Sequence, residues 1–466
     1  VAGFEIDESW FSLKQAKRAC FVGLGKHDMN NQSHSGTARQ RMRTAAWLRA
    51  LMILMVLLPL AILFLVPGGS LLAGVIWLWF FIGVSFLILS AYLRRPQVAG
   101  EGPEAPPHIL YEADQPGPVR EVMDVRMAME QSGVQIFRGK LRESAAAAYE
   151  KLKQAFGGQT VPLLQQDDQM GAAIYLMPKR VEEAVLERPV RPWINWLLFG
   201  LTVLTTTWVG AAHQGVNLLQ APGRFVVGLP YSIGLLAILG VHELGHFFAA
   251  RQHNMNVTPP YFIPVPFALG TFGAFIKMRS PAEDRRSLFD VAVAGPLAGL
   301  VIAIPALLIG LHSSSVAGIG GHAAQGSAIA TPVGSSILFG LLARLSLDPA
   351  LAAGDVLRLS PLAFAGWLGL FVTALNLLPI GQLDGGHIAR SMFGSRMGRI
   401  ISNVAMGLLV LWSLFVPGLM IWAIIVFFIA GHATPPLNDL TPVSPGRMWL
   451  GLLAFIILAL IVIPLP

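Results

Sequence analysis

A chain of 466 residues that is 54% hydrophobic and only 13% charged falls well short of the roughly 25% charge of a soluble domain, so its composition is that of a membrane protein. Its formal net charge of +7 belongs on basic loops to one side of a bilayer, and with no basic face interleaved with aromatics, nucleic acid is not an expected partner. Cys20 is the single cysteine, which excludes internal disulfides and cysteine-based zinc or iron–sulfur sites.

Residues 1–46 read as a polar, basic N-terminal tail, too polar for a cleaved signal. Within 47–95, two apolar runs (47–66 and 70–92) are separated by Pro67-Gly68-Gly69 and form an N-terminal transmembrane hairpin. Arg94 and Arg95 close it on the side of Arg39, Arg41, Arg43 and Arg49, which the positive-inside rule makes the cytoplasm. Residues 96–118, rich in Pro, Gly and Glu, read as a linker. Residues 119–190 have the pattern of a small soluble α+β domain on the cytoplasmic side. Its helix covers 144–156 and ends at Gly157-Gly158, and its strands cover 134–141, 161–165 and 172–177.

Residues 193–432 form the main membrane core, with 433–466 carrying one more transmembrane helix at 447–464. Spans are expected at 193–212, 225–250, 288–311 and 360–379, and two short apolar runs follow at 400–416 and 418–431, giving eight or nine helices in the chain. Residues 257–279 are apolar but broken by Pro259, Pro260, Pro264, Pro266, Gly270 and Gly273. They suit a re-entrant hairpin lining a cavity, whose edge could pair with an extended substrate. Residues 312–334 read as a flexible external loop and 335–347 as an amphipathic helix at the interface. Lys277, Arg279, Arg285, Arg286, Arg390, Arg396 and Arg399 all fall on the cytoplasmic side of this topology.

Chemistry concentrates in two polar clusters inside this apolar chain. The first is His242-Glu243-Leu-Gly-His246, an H-E-x-x-H pattern on a helix. Four residues apart, the two imidazoles lie about 40° apart around the axis and one turn apart along it. They can therefore share one metal ion, and Glu243 can reach a water on that ion and take its proton. Ionisable groups at membrane depth imply function by default.

Two histidines need a third protein ligand and an open position. The second cluster, Asn376-Leu-Leu-Pro379-Ile-Gly-Gln-Leu-Asp384-Gly385-Gly386-His387, offers Asp384 at a similar depth. Asn376 could stabilise an oxyanion or make an interhelix hydrogen bond. His387 is a further ligand candidate, placed past the glycine turn and nearer solvent. Gly295 and Gly299, four residues apart, point to close helix packing, and Asp290 reads as a helix-end charge. His213, His253, His312, His322 and His432 lie in loops or at membrane edges and read as structural or exposed.

The H-E-L-G-H helix together with Leu383-Asp384-Gly385-Gly386 resembles the site-2 protease family of intramembrane zinc metalloproteases, peptidase family M50. The string from Asn376 to His387, and Gly270-Thr-Phe-Gly273-Ala, resemble the cyanobacterial and plastid-type branch. The resemblance implies a polytopic α-helical membrane protein with a core of about six helices and a re-entrant hairpin, preceded here by the extra helix pair and the α+β domain. It implies one Zn2+ held by His242, His246 and Asp384, with Glu243 as catalytic base. Asn376, Gly270 and Gly273 fall in motifs suited to substrate or oxyanion contacts. The implied reaction is peptide hydrolysis in or near transmembrane segments of membrane-anchored proteins, anti-sigma-factor-like or other single-span proteins, in the lipid bilayer. The expected location is a bacterial inner or plasma membrane, with the active site towards the cytoplasm. A metal-ion carrier is the main rival reading, but it gives no reason for Glu243 between the ligands.

Overall fold

A computed structural model describes residues 108–465, apart from 112–114, 132, 159, 179–191, 266–267, 318–329, 348–350, 353–354, 416–417, 430 and 432–434. The polar tail, the 47–95 hairpin, most of the 96–118 linker, and His322 and His432 lie outside the described residues.

The α+β unit begins inside the stretch read as linker. Strand β1 (His108–Ile109) pairs with β2 (Met123–Gln131), and α1 (Gly117–Val122) runs directly into β2. Then come β3 (Val134–Leu141), α2 (Ala145–Phe156), β4 (Thr160–Asp167) and β5 (Gly171–Pro178). The antiparallel sheet has the order β1-β2-β3-β5-β4. The Ser144 side chain caps α2 by accepting the Ala147 N–H, and Ala148, Tyr149 and Leu152 bury its apolar face with Phe137, Leu164 and Ile174 of the sheet. Sequence reading passes over β2 for a physical reason: Asp124, Arg126 and Glu130 interrupt its apolar positions, and a bulge between Val125 and Met127 breaks the alternation.

Five helical stretches, Pro192–His213, Pro222–Gln252, Arg285–Leu311, Asp384–Phe415 and Pro445–Val462, are long and apolar enough to cross a bilayer. They contain α3 (Pro192–His213), α4 (Leu229–Gln252) and α5 (Arg285–Leu311). After α6 (Ile337–Ser346) and α7 (Pro361–Leu377) come α8 (Asp384–Phe415), α9 (Gly418–Ile429) and α10 (Pro445–Val462). Five candidate spans thus lie among the described residues; of the other expected runs, the N-terminal pair lies outside the described residues, and α7 and α9 are shorter than a full span. Helix α8 also starts earlier than the run at 400–416. Its basic stretch, from Arg390 to Arg399, interrupts the hydropathy and contains the kink at Gly394 (φ 82, ψ 176), with helix on both sides.

The region read as a flexible loop contains β8 (Ser315–Ala317) and β9 (Ala330–Pro332), which flank β10 (Val356–Arg358) in a three-stranded sheet. Three-residue strands are too short to show a period of two.

Helices α4, α5 and α7 form the centre of the core through Leu235, Ile238, Leu300, Ala303, Leu307, Ala365 and Leu368. Polar groups add to it: Thr206 Oγ1 on α3 lies 2.7 Å from Ser232 Oγ on α4. The broken segment after α4 forms an antiparallel hairpin, β6 (Tyr261–Pro264) and β7 (Thr271–Phe275). Side chains of the neighbouring helices hold its backbone. Asn195 Nδ2 donates to the Pro259 and Pro260 carbonyls (3.0 and 2.9 Å), Thr205 Oγ1 to Gly270 O (2.7 Å) and Tyr231 OH to Leu269 O (2.9 Å).

The α+β unit joins the core through residues 437–441. Leu437 and Asn438 donate backbone N–H groups to Ala282 and Glu283, and this segment also exchanges backbone hydrogen bonds with Leu164 of β4. Lys153 of α2 pairs with Glu283 beside it, which raises the lysine pKa above its ordinary value.

Candidate active site

The two histidines sit on α4 as helical spacing requires, with ring centroids 4.9 Å apart and Nε2 atoms 3.1 Å apart. The chain reaches them again through a tight turn. Helix α7 ends at Leu377, Pro379 cannot continue it, and Gly381 takes a positive φ of 53° before α8 begins at Asp384. A Cβ on Gly385 would fall 1.9 Å from the Leu377 carbonyl oxygen, so only glycine lets α8 fold back against the end of α7.

This turn places Asp384 Oδ2 3.5 Å from His242 Nε2 and 3.4 Å from His246 Nε2. His242, His246 and Asp384 are the group of side chains among the described residues that could hold a metal ion, and all three are buried. Two observations show that they fit zinc. Ligand atoms about 2.0–2.1 Å from a tetrahedral ion stand roughly 3.3 Å from one another, and the observed edges are 3.1, 3.4 and 3.5 Å. In addition, Asp384 is 0% exposed, and neither carboxylate oxygen has a hydrogen-bond partner among the described residues. A buried carboxylate left in that state is costly unless a cation compensates it.

The surroundings orient the ligands. His246 Nδ1 lies 2.8 Å from the Val291 carbonyl oxygen on α5; donating there leaves the Nε2 lone pair for a metal. Helix α5 comes this close because it carries glycine opposite each imidazole. A Cβ on Gly295 would meet His246 Nε2 at 2.1 Å, and one on Gly299 would meet His242 Nδ1 at 3.2 Å. Glu243 is buried beside the ligands; it takes a backbone hydrogen bond from Ile276, just past β7, and its Oε2 has no hydrogen-bond partner among the described residues.

Asn376 Nδ2 lies 3.3 Å from His242 Nε2. This contact runs from α7 to α4, as the interhelix reading expects, and puts the amide at the ligand atoms, as the oxyanion reading requires. His387 is 1% exposed, not near solvent as its place after the glycines suggests, because α8 turns back into the bundle; it is not in the metal-capable group. Gly270 and Gly273 have φ of 80° and 103°. Gly270 packs on α3, where its Cβ would meet Thr206 Cα at 2.6 Å, and the Gly273 N–H donates to Thr271 Oγ1.

Asp290 is the helix-end charge the sequence suggests. It accepts from Arg447 Nε and Nη2 at 2.7 and 2.6 Å and lies 2.9 Å from His253 Nε2, tying α5 to α10 and to the end of α4. His213 packs edge-on against Tyr231 and Phe364, and His312 caps α5. Sequence reasoning missed Val291, whose role is a backbone carbonyl, and Asp439, which binds two buried arginines.

Residues 230–416 match the model of Peptidase family M50. A probable zinc metalloprotease of Arabidopsis thaliana, EGY2, chloroplastic, is 31% identical over 342 residues, covering 71% of this chain and 60% of the relative. A second from the same plant, EGY1, chloroplastic, is 34% identical over 315 residues, 62% of this chain and 56% of the relative. A third, a probable zinc metallopeptidase EGY3, chloroplastic, is 32% identical over 251 residues, 49% of this chain and 42% of the relative. The chain thus spans about 60% of the length of the first of these relatives. The H-E-x-x-H helix and the turn that carries Asp384 both lie inside the matched residues, so residues 230–416 carry a peptidase family M50 domain.

Proposed function

We propose that the protein hydrolyses peptide bonds in or near the transmembrane segments of membrane-anchored proteins, with one zinc ion held by His242, His246 and Asp384. The observation that carries this is the convergence of three ligand atoms, 3.1 to 3.5 Å apart, beside an unpartnered Glu243 oxygen in an apolar helix bundle. Zinc, when bound there, supplies a Lewis acid and lowers the pKa of bound water to about 7.

The chain's own groups do the rest. Glu243 takes the proton of the attacking water on Oε2 and delivers it to the leaving amide nitrogen. Asn376 donates its amide N–H to the substrate carbonyl oxygen as that atom gains charge, in a buried setting where such a bond is strong. The β6–β7 hairpin reads as re-entrant and shaped by Gly270 and Gly273. Among the described residues neither strand pairs with a third, which suits pairing with an unwound substrate strand. A transmembrane helix must unwind before its peptide bond is open to attack, because its backbone groups are otherwise paired within the helix.

The bilayer and single-span proteins, anti-sigma-factor-like ones included, remain the proposed partners. His246 lies six residues before the end of α4, about 9 Å along the axis. That supports a site opening towards the basic side of the membrane, where Lys277, Arg279 and Arg286 follow, and where the α+β unit belongs. The relatives' names are chloroplastic, which lends no support to a bacterial inner or plasma membrane.

The test compares wild type with Glu243→Gln on a membrane-anchored substrate in detergent. The expected outcome is cleavage by wild type alone, with zinc retained by both and a loss of about 10²-fold or more in the variant. Equal cleavage by both, or none by zinc-loaded wild type, refutes the proposal.

A further inference from the structure

Asp439 lies 1% exposed between two arginines from different helices. Arg285 Nε, at the start of α5, is 3.2 Å from Asp439 Oδ1, and Arg390 Nη2, on α8, is 2.7 Å from Oδ2. Both arginines are themselves buried, at 8% and 7% exposure. Gly394, where α8 breaks, makes room for the cluster: a Cβ there would come 2.7 Å from Arg285 Nη2.

Each arginine lies six residues along its helix from a group at the metal site. Arg390 follows Asp384 by six residues on α8, and Arg285 precedes Val291, whose carbonyl faces His246, by six residues on α5. Six residues are about 9 Å of helix, less than two turns. A helix segment that short moves as a rigid body, so what fixes Arg390 fixes Asp384. Zinc ligand distances tolerate about ±0.2 Å; a shift of α8 by even about 1 Å opens the Asp384 corner of the ligand triangle.

Asp439 is in turn held by its own backbone. Its N–H donates to the Leu164 carbonyl of β4 in the α+β unit. A chain of direct contacts thus runs from the α+β sheet through Asp439 to both elements that arrange the ligands.

Resting on the reading that His242, His246 and Asp384 hold zinc, we propose that Asp439 is a positioning residue for the metal centre. It locks α5 and α8 at the spacing zinc needs and ties that spacing to the α+β unit. Neutralising it leaves two buried guanidinium groups without their shared counter-charge, and they move apart, carrying Asp384 away from the histidines.

The experiment measures zinc affinity by competition with a chromophoric chelator on full-length protein in detergent, alongside thermal unfolding of the metal-free form. Asp439→Asn, which keeps the shape and removes the charge, is expected to weaken zinc binding by at least about tenfold, the scale seen when a group that orients a metal ligand is lost. Asp439→Glu is expected to recover part of that loss. A purely structural role lowers the unfolding temperature of the metal-free form and leaves zinc affinity of the folded fraction unchanged; that result overturns the proposal. Should Asp439→Asn not fold, Arg390→Lys carries the same comparison, and wild-type zinc affinity in either folded variant counts against the inference. Wild type that binds no zinc fails the metal reading itself, a result distinguishable from wild-type affinity in the variants.

Discussion

Replacing Gly295 by alanine tests the reasoning at its narrowest point. The added methyl would sit 2.1 Å from His246 Nε2, 2.4 Å from Cε1 and 2.6 Å from Cδ2, where ordinary contact begins at 3.4 Å. About 1.3 Å must therefore be made up, the difference between 3.4 and 2.1 Å. The imidazole cannot simply rotate away, because Nδ1 is held at 2.8 Å by the Val291 carbonyl on the same helix. Either α5 retreats from α4, where Gly245 already packs against the Ala294 backbone, or the ring leaves its ligand position. Overpacking of this kind costs roughly 1–3 kcal/mol in stability. The larger effect is on the metal, since the displacement is several times the roughly 0.2 Å tolerance of zinc ligand distances. We expect Gly295→Ala to weaken zinc binding by about 10²-fold, the upper end of what disturbing a ligand's supporting contacts costs, and to abolish cleavage. The control is Gly200→Ala on α3, where a Cβ meets nothing within 4 Å; it should bind zinc normally and gain up to about 1 kcal/mol of stability. Chelator competition and denaturation in detergent read both variants. Wild-type zinc affinity in Gly295→Ala would refute the packing argument.

Chelating the metal should lower the unfolding temperature of wild type, because a ligand bound to the native state at 100 times its Kd contributes about 2.7 kcal/mol. The shift should vanish in Asp384→Ala; an equal shift there would remove Asp384 from the ligand set. Asn195→Ala removes both donors to the Pro259 and Pro260 carbonyls. It should destabilise by about 1–3 kcal/mol and slow cleavage without changing zinc affinity; a loss of zinc binding would mean that the hairpin anchors do more than hold the hairpin.

Where a feature depends on neighbours along the chain, the sequence alone determined it. Helical spacing put His242 and His246 on one face of α4, Ser144 capped α2, and strand β3 began and ended where its apolar pattern does. Gly295 and Gly299 announced a close helix approach. Only the tertiary structure decided what lies on the other side of that approach. The Val291 carbonyl carries no side-chain signal, Asp439 reads as one more loop carboxylate, and His387 is buried by a fold-back that hydropathy does not record. Strand β2 and the early start of α8 were hidden for a related reason. Their charges look solvated along the chain, whereas in α8 Arg390 is buried and paired with Asp439, 49 residues further on. Local periodicity sets which way a side chain points, but the charge or carbonyl that meets it comes from a distant segment, and that pairing exists only once the helices have packed.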